Sequence, residues 1–440
     1  MNRERETAAS ENHFESAGGR RYIPRTGFFP DAKYQLSAGP RTHVSLAQLT
    51  EIPLDHAGES LTRMWSDLLV HRRLAAGFGI PAIEPLSYLE LPVVAFAPTT
   101  QQLFNEIIVP AIKEHCIKTG KINQLAVEEI GYPLPFWAKD NLLPVGIVEG
   151  KSKPAIETHS YATRLQEYVQ TGAKLPDGIG AVYLDFPSTL NTTYTRRELI
   201  QFIRNNSSVL FIIDQANLYF SSPPNERAFD TDNDLMLTGK YIAPGIPDKQ
   251  EERLIDTDLV LVTNTTTKAM GVSGCAIVTG TTPAKNLLYG VFGNQLPLVQ
   301  GFDQKSFMRA RQALEQEAAN YSPFEKNHNT LKAINYRELV SKNKKRLVEN
   351  LQTLFGHASF SPELASAGPH IFINAQSLGF DKAQSLCDAL YNQFSIATKP
   401  ASVYTNPEKH PEYDKYVYMA IPMDHEAMQA VLNAFKVIHQ

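Results

Sequence analysis

Lys268 sits in the segment TNTTTKAMGVSG, after an apolar run and the polar residues Asn264 to Thr267, and shortly before Gly271 and Gly274. The glycines let a ligand approach the backbone closely. A lysine desolvated in such a place has a lowered pKa and an exposed lone pair, which is what Schiff-base formation with an aldehyde requires. Asp214 closes the apolar run Leu210 to Ile213. If that run is a central strand, the carboxylate emerges from a buried element and must meet a cation to stay charged. Thr99 and Thr100 precede the helical pattern that starts at Gln101, so their hydroxyls and free backbone N–H groups could hold a phosphate. A fourth polar stretch, Ser188 to Thr193, follows another apolar run. One ligand carrying an aldehyde, a cationic nitrogen and a phosphate would use all of these features.

Such residues must be positioned by the elements that carry them. LPVVAFA (91 to 97), GAVYLDF (180 to 186), SVLFIIDQ (208 to 215) and DLVLVTN (258 to 264) are largely apolar runs with a polar residue at or near the C-terminal end. Helical patterns separate them, as in QQLFNEIIVPAIKEHC after Thr100. Continuous apolar strands alternating with helices predict an α/β fold: a mostly parallel sheet covered by helices on both faces. In such sheets ligands bind outside the carboxyl ends of the strands, where the polar residues lie. Helical patterns are also expected from Gly58, over 306–321 and over RELVSKNKKRLVENLQTLF; the Pro-, Asp- and Asn-rich stretch from Phe220 to Leu254 reads as a long loop. The tail runs HIFINA, a helix around KAQSLCDALYNQF, YVYMAI and a closing helix, which predicts a smaller α+β C-terminal domain. The expected division is an N-terminal arm over 1–45, a large α/β domain over 46–330 and the small domain over 331–440.

Composition narrows the function classes. The 440 residues are 43% hydrophobic and 20% charged, a globular profile. The net charge of -4 offers no general attraction to nucleic acid or to anionic membranes. Cys116, Cys275 and Cys387 form no paired framework, which suits a reducing, cytoplasmic compartment. Met1 to Arg25 lacks the apolar core of a secretory signal, and no apolar run approaches the roughly 20 residues that span a bilayer. The histidines show no paired metal-ligand spacing, so no metal is expected.

The order of these motifs resembles the fold-type I pyridoxal-phosphate enzymes, specifically the class I/II aminotransferases of the histidinol-phosphate aminotransferase type, over most of the chain. FIIDQANLYF is similar to the family's Asp-x-Ala-Tyr strand end at Asp214 and Ala216. TNTTTKAMGVSG is similar to its lysine segment at Thr265, Thr267, Lys268, Gly271 and Gly274. The resemblance implies pyridoxal 5'-phosphate as cofactor. Lys268 would form the internal aldimine, Asp214 would face the pyridine nitrogen, Thr99 and Thr100 would hold the phosphate, and Tyr132 in GYPLPFW would stack on the ring. Thr265, Ser188 and Asn217 fall at further cofactor-binding positions. A homodimer acting on an amino acid or related amine is implied as well.

The chain also departs from the pattern. Ala276 stands where the family has a phosphate-clamping arginine, and Tyr418 where it has an arginine for the substrate carboxylate, a task that Arg309 or Arg311 could take over. Ser188 and Asn191 occupy the eroded Asn-Pro-x-Gly stretch, and Asn217 replaces the tyrosine after Asp-x-Ala. Thr99, Thr100 and Asp214 also suit helix-capping or turn roles, and Tyr132 also suits core or dimer packing. Two other functions follow from the departures: an aminotransferase-like protein kept for binding or regulation, and a divergent lyase or decarboxylase.

Overall fold

The computed structural model describes residues 14–15, 21–22, 32–37, 61, 64, 93–120, 125–127, 161–176, 178–186, 194, 196–216, 258–265, 275–293, 305–311, 314, 336–360, 368–404 and 410–440. Lys268, Tyr132, Ser188, Asn217 and the loop expected from Phe220 to Leu254 lie outside them. Of the helix expected from Gly58, only Leu61 and Met64 are described, and both are helical.

Two short strands, β1 (Phe14–Glu15) and β2 (Arg21–Tyr22), pair with each other, and β3 (Tyr34–Gln35) follows. The main sheet contains β4 (Val93–Ala97), β5 (Leu125–Val127), β6 (Ala181–Asp185), β7 (Leu210–Asp214), β8 (Val260–Thr265) and β9 (Ala276–Gly280). Their order is β4-β9-β8-β7-β6-β5. β5 to β8 pair in parallel, while β9 runs antiparallel to both neighbours. The sheet is therefore mixed but mostly parallel, as the apolar runs predict. Neither β5 nor β9 stands out in the sequence: the first is a three-residue run, and the second is the short segment AIVTG.

Side chains alternate between the two faces of each strand. Tyr183, Ile212, Leu261 and Val278 point to one face. It is covered by α1 (Thr100–Leu103), a π-helical turn (Phe104–Ile108), α2 (Val109–Thr119) and α5 (Thr282–Phe292). Val182, Leu184, Phe211 and Ile213 point to the other, beneath α3 (Tyr161–Thr171) and α4 (Arg196–Asn205). The π-turn has a local cause. Pro110 has no N–H and its ring crowds the carbonyl one turn back, so the ladder slips by one residue, with Val109 N–H donating to Phe104 O.

The C-terminal part begins with α6 (Tyr336–Phe355) and continues through β10 (His370–Asn374), α7 (Ala383–Phe394), β11 (Ile396–Ala397), β12 (Lys399–Pro400), β13 (Tyr416–Ala420) and α8 (His425–His439). β10, β13 and β12 form an antiparallel sheet in that order. Asp424 caps α8, its Oδ1 accepting from Ala427 N–H. β3, within the expected arm, pairs in parallel with β11, and Ala420 N–H donates to Leu36 O at 2.8 Å. Segment 34–36 is thus built into the C-terminal sheets. Among the described residues no helix is long and apolar enough to cross a membrane, and no group of His, Cys, Asp or Glu could hold a metal ion.

Candidate active site

The strand register brings several of the predicted residues to one edge of the main sheet. Asp185 pairs with Asp214, Asp214 with Thr263, and Thr265 with Ala276, which in turn faces Ala97. The carboxyl ends of β4, β6, β7 and β8 therefore line up, with Thr99 and Thr100 just past Ala97. Neighbouring strands lie about 4.8 Å apart, so the three steps from β4 to β7 separate the threonine turn from Asp214 by roughly 14 Å. Lys268 follows Thr265 by three residues.

Asp214 is 4% exposed. Its Oδ2 accepts from the Tyr183 hydroxyl at 2.6 Å, and its Oδ1 accepts from Ala216 N–H at 2.9 Å. The second bond closes a local turn, so the turn role that the sequence left open is filled by one oxygen. A carboxylate has about four acceptor positions, and two neutral donors leave some unfilled. No described residue forms an ion pair with Asp214. A buried carboxylate with acceptor positions to spare suits a ligand that brings positive charge.

Three neighbours on the same face were missed in the sequence. Tyr183 and Asp185 alternate on β6, and Thr263 lies across from Asp214 on β8; all are buried. Phe104 of the π-turn meets Tyr183 edge-on, with centroids 5.9 Å apart. Thr263 Oγ1 is fully buried and has no hydrogen-bond partner among the described residues, and Gln215 Nε2 and Asn264 Oδ1 are likewise unsatisfied. Two signals were available: Asp185 ends its run AVYLD as Asp214 ends LFIID, and Tyr183 stands two residues before Asp185.

Thr99 is the N-cap of α1, its Oγ1 accepting from Gln102 N–H at 3.1 Å. The helix starts at Thr100, one residue earlier than the pattern suggests. Ala276 is wholly buried in β9. Tyr418 lies across from Lys399 on β12, and the Lys399 ammonium sits 4.7 Å from the Tyr418 ring centre and 4.8 Å from that of Tyr404. His370 stacks on Tyr418 at 4.9 Å. Burial pushes the Tyr418 phenol well above its ordinary pKa. A lysine thus stands directly opposite the position where the resemblance led one to look for an arginine. Arg309 and Arg311 lie on the helical segment 305–311, half-buried.

The buried, cation-seeking acid and the unsatisfied hydroxyl beside it fit a nitrogen heterocycle with its protonated nitrogen toward Asp214. The cap of α1 fits a phosphate less strongly, because the Thr99 hydroxyl is already engaged.

No protein-family model and no curated protein matches this sequence. Solved structures do match. The chain is similar to a pyridoxal-phosphate-bound C-S lyase from Staphylococcus hominis, with TM-score 0.53 and 11% identity over 100% of this chain and 97% of the other. It is similar to N-succinyldiaminopimelate aminotransferase from Mycobacterium tuberculosis, with TM-score 0.51 and 14% identity over 92% of each chain. It is also similar to a double mutant of Thermus thermophilus aspartate aminotransferase, with TM-score 0.51 and 12% identity over 93% and 92%.

Proposed function

From the fold of the pyridoxal-phosphate transferases, which this chain shares, we propose that it is a pyridoxal-phosphate-dependent enzyme that transaminates an amino acid or related amine. One observation carries the reading: a buried carboxylate, Asp214, at the carboxyl end of a central strand, hydrogen-bonded by two neutral donors and in no ion pair with any described residue. When bound, pyridoxal phosphate supplies an aldehyde that captures the amine and a ring that withdraws electrons from its Cα.

The chain's own residues do the rest. Asp214 holds a proton on the ring nitrogen. Lys268 would hold the cofactor through its side-chain amine and, when free, would take and return the proton of the substrate Cα. Thr99 and Thr100 receive the phosphate on the first N–H groups of α1. Tyr132 would pack against the cofactor, and Ser188, Asn217 and Thr265 would supply polar contacts to it. The division into 46–330 and 331–440, with a homodimer and a cytoplasmic location, belongs to the same proposal.

The test is a titration of the purified chain with pyridoxal phosphate, followed by borohydride reduction and mass mapping. A reduced adduct on Lys268, lost in Lys268→Ala, supports the reading; no adduct in the unaltered chain defeats it. The C-S lyase likeness matches the aminotransferase likeness in quality, so product analysis decides the reaction. A keto acid formed in ping-pong half-reactions supports transamination. Release of a thiol or of carbon dioxide supports a lyase or a decarboxylase. An adduct with no turnover on any amine supports a binding role, consistent with a buried alanine at position 276.

A further inference from the structure

On β6, two side chains of opposite electrostatic effect flank Asp214 on the same face of the sheet. Tyr183, 3% exposed, donates its hydroxyl to Oδ2 at 2.6 Å, and the covering helix fixes it edge-on against Phe104. A donor to a carboxylate stabilises the ionised form and makes it a weaker base. Asp185, 5% exposed, is the register partner of Asp214 on the neighbouring strand. A second carboxylate about one strand spacing away does the reverse: it deepens the negative potential and strengthens the attraction for a cation. Thr263, on the other side of Asp214, contributes a buried, unpartnered hydroxyl to the same row and does not titrate. The helix over this face presents apolar Leu103, Phe104 and Ile107, and its Glu106 lies on the half-buried side. His115 of that helix binds Ser208 O, at the opposite end of β7.

We propose that Tyr183 and Asp185 are positioning residues that set, with opposite sign, how firmly Asp214 keeps a proton on the nitrogen of a bound heterocycle. The inference rests on the reading of Asp214 given above. Tyr183 keeps the acid aligned and moderates its negative potential, while Asp185 reinforces the potential that a cationic ring requires.

The experiment uses the full chain loaded with pyridoxal phosphate labelled with nitrogen-15 in the ring, whose chemical shift reports protonation directly. Tyr183→Phe should raise the midpoint of ring-nitrogen deprotonation, and Asp185→Asn should lower it, each by about one pKa unit. The double variant should return close to the parent. Shifts in the same direction, or none in either variant, overturn the inference while leaving the cofactor reading intact. Failure of the parent chain to load the label overturns the cofactor reading instead. A cofactor-free measurement tests the pair independently. In the apoprotein, Asp185→Asn should raise the melting temperature by relieving repulsion between two buried carboxylates, and the gain should vanish when Asp214 is replaced by Asn as well. A gain that persists in the Asp214→Asn background overturns the role given to Asp185.

Discussion

Asp214→Asn separates the charge of this residue from its shape. The amide oxygen can still accept from Ala216 N–H, which lies 2.9 Å from Oδ1, and the amide NH2 takes the place of Oδ2, 2.6 Å from the Tyr183 oxygen. Tyr183 must then turn from donor to acceptor, at a cost of about 1 kcal/mol. Relief of repulsion with Asp185 offsets part of this, so the cofactor-free protein should melt within a few degrees of the parent. Binding is affected far more. At 4% exposure a carboxylate facing a protonated nitrogen forms a buried pair, and breaking such a pair by removing one partner costs about 3–5 kcal/mol. That is on the order of two to three and a half decades in dissociation constant. Fluorescence titration of the apoprotein with pyridoxal phosphate measures the change, and thermal melts followed by circular dichroism check the fold. An affinity within about threefold of the parent would refute the placement of a cationic nitrogen at Asp214. A collapsed melting curve would instead show that the carboxylate serves the fold.

Other tests address single interactions. Thr263→Val replaces a buried hydroxyl without a partner by a methyl of the same shape, so chemical denaturation should show a gain of about 1 kcal/mol. Thr99→Ala removes a cap and should cost about 1 kcal/mol in the same assay, with Thr99→Ser restoring it. If Thr99 serves mainly as a cap, cofactor affinity in Thr99→Ala should fall less than about tenfold. Lys344 lies on α6 with its ammonium donating to Gly368 O at 3.4 Å, and burial lowers its pKa from 10.5 to about 8. The unfolded chain holds this proton up to 10.5 while the folded one releases it near 8, so the cost of burying the charge is full below pH 8 and fades as pH rises to 10.5. Lys344→Met should therefore stabilise the protein near neutral pH by up to roughly 3 kcal/mol, with no gain above about pH 11. A gain that is the same at both pH values would refute this.

Much of the fold was legible because it rests on periodicity. The apolar runs at 93–97, 181–185, 210–214 and 260–265 are strands within a few residues of their expected bounds, and the helices over 336–355, 383–394 and 425–439 follow their apolar stripes. β9 was not legible, because its antiparallel course depends on where the chain returns to the sheet rather than on its residues. The pairing of Tyr34 with Ile396 joins segments at opposite ends of the chain, and no local pattern announces it.

The sequence by itself determined that Asp214 would end a buried strand, because a charge after Leu210–Ile213 interrupts the apolar run. It also determined that the threonines after Ala97 would start a helix, since capping is a property of a few consecutive residues. Only the tertiary structure decided which groups share the space around that acid. Tyr183, Asp185 and Thr263 become its neighbours through inter-strand register, and register is settled by the packing of two helical layers against the sheet. The balance of charge at the candidate site therefore depends on contacts between strands that the sequence separates by tens of residues.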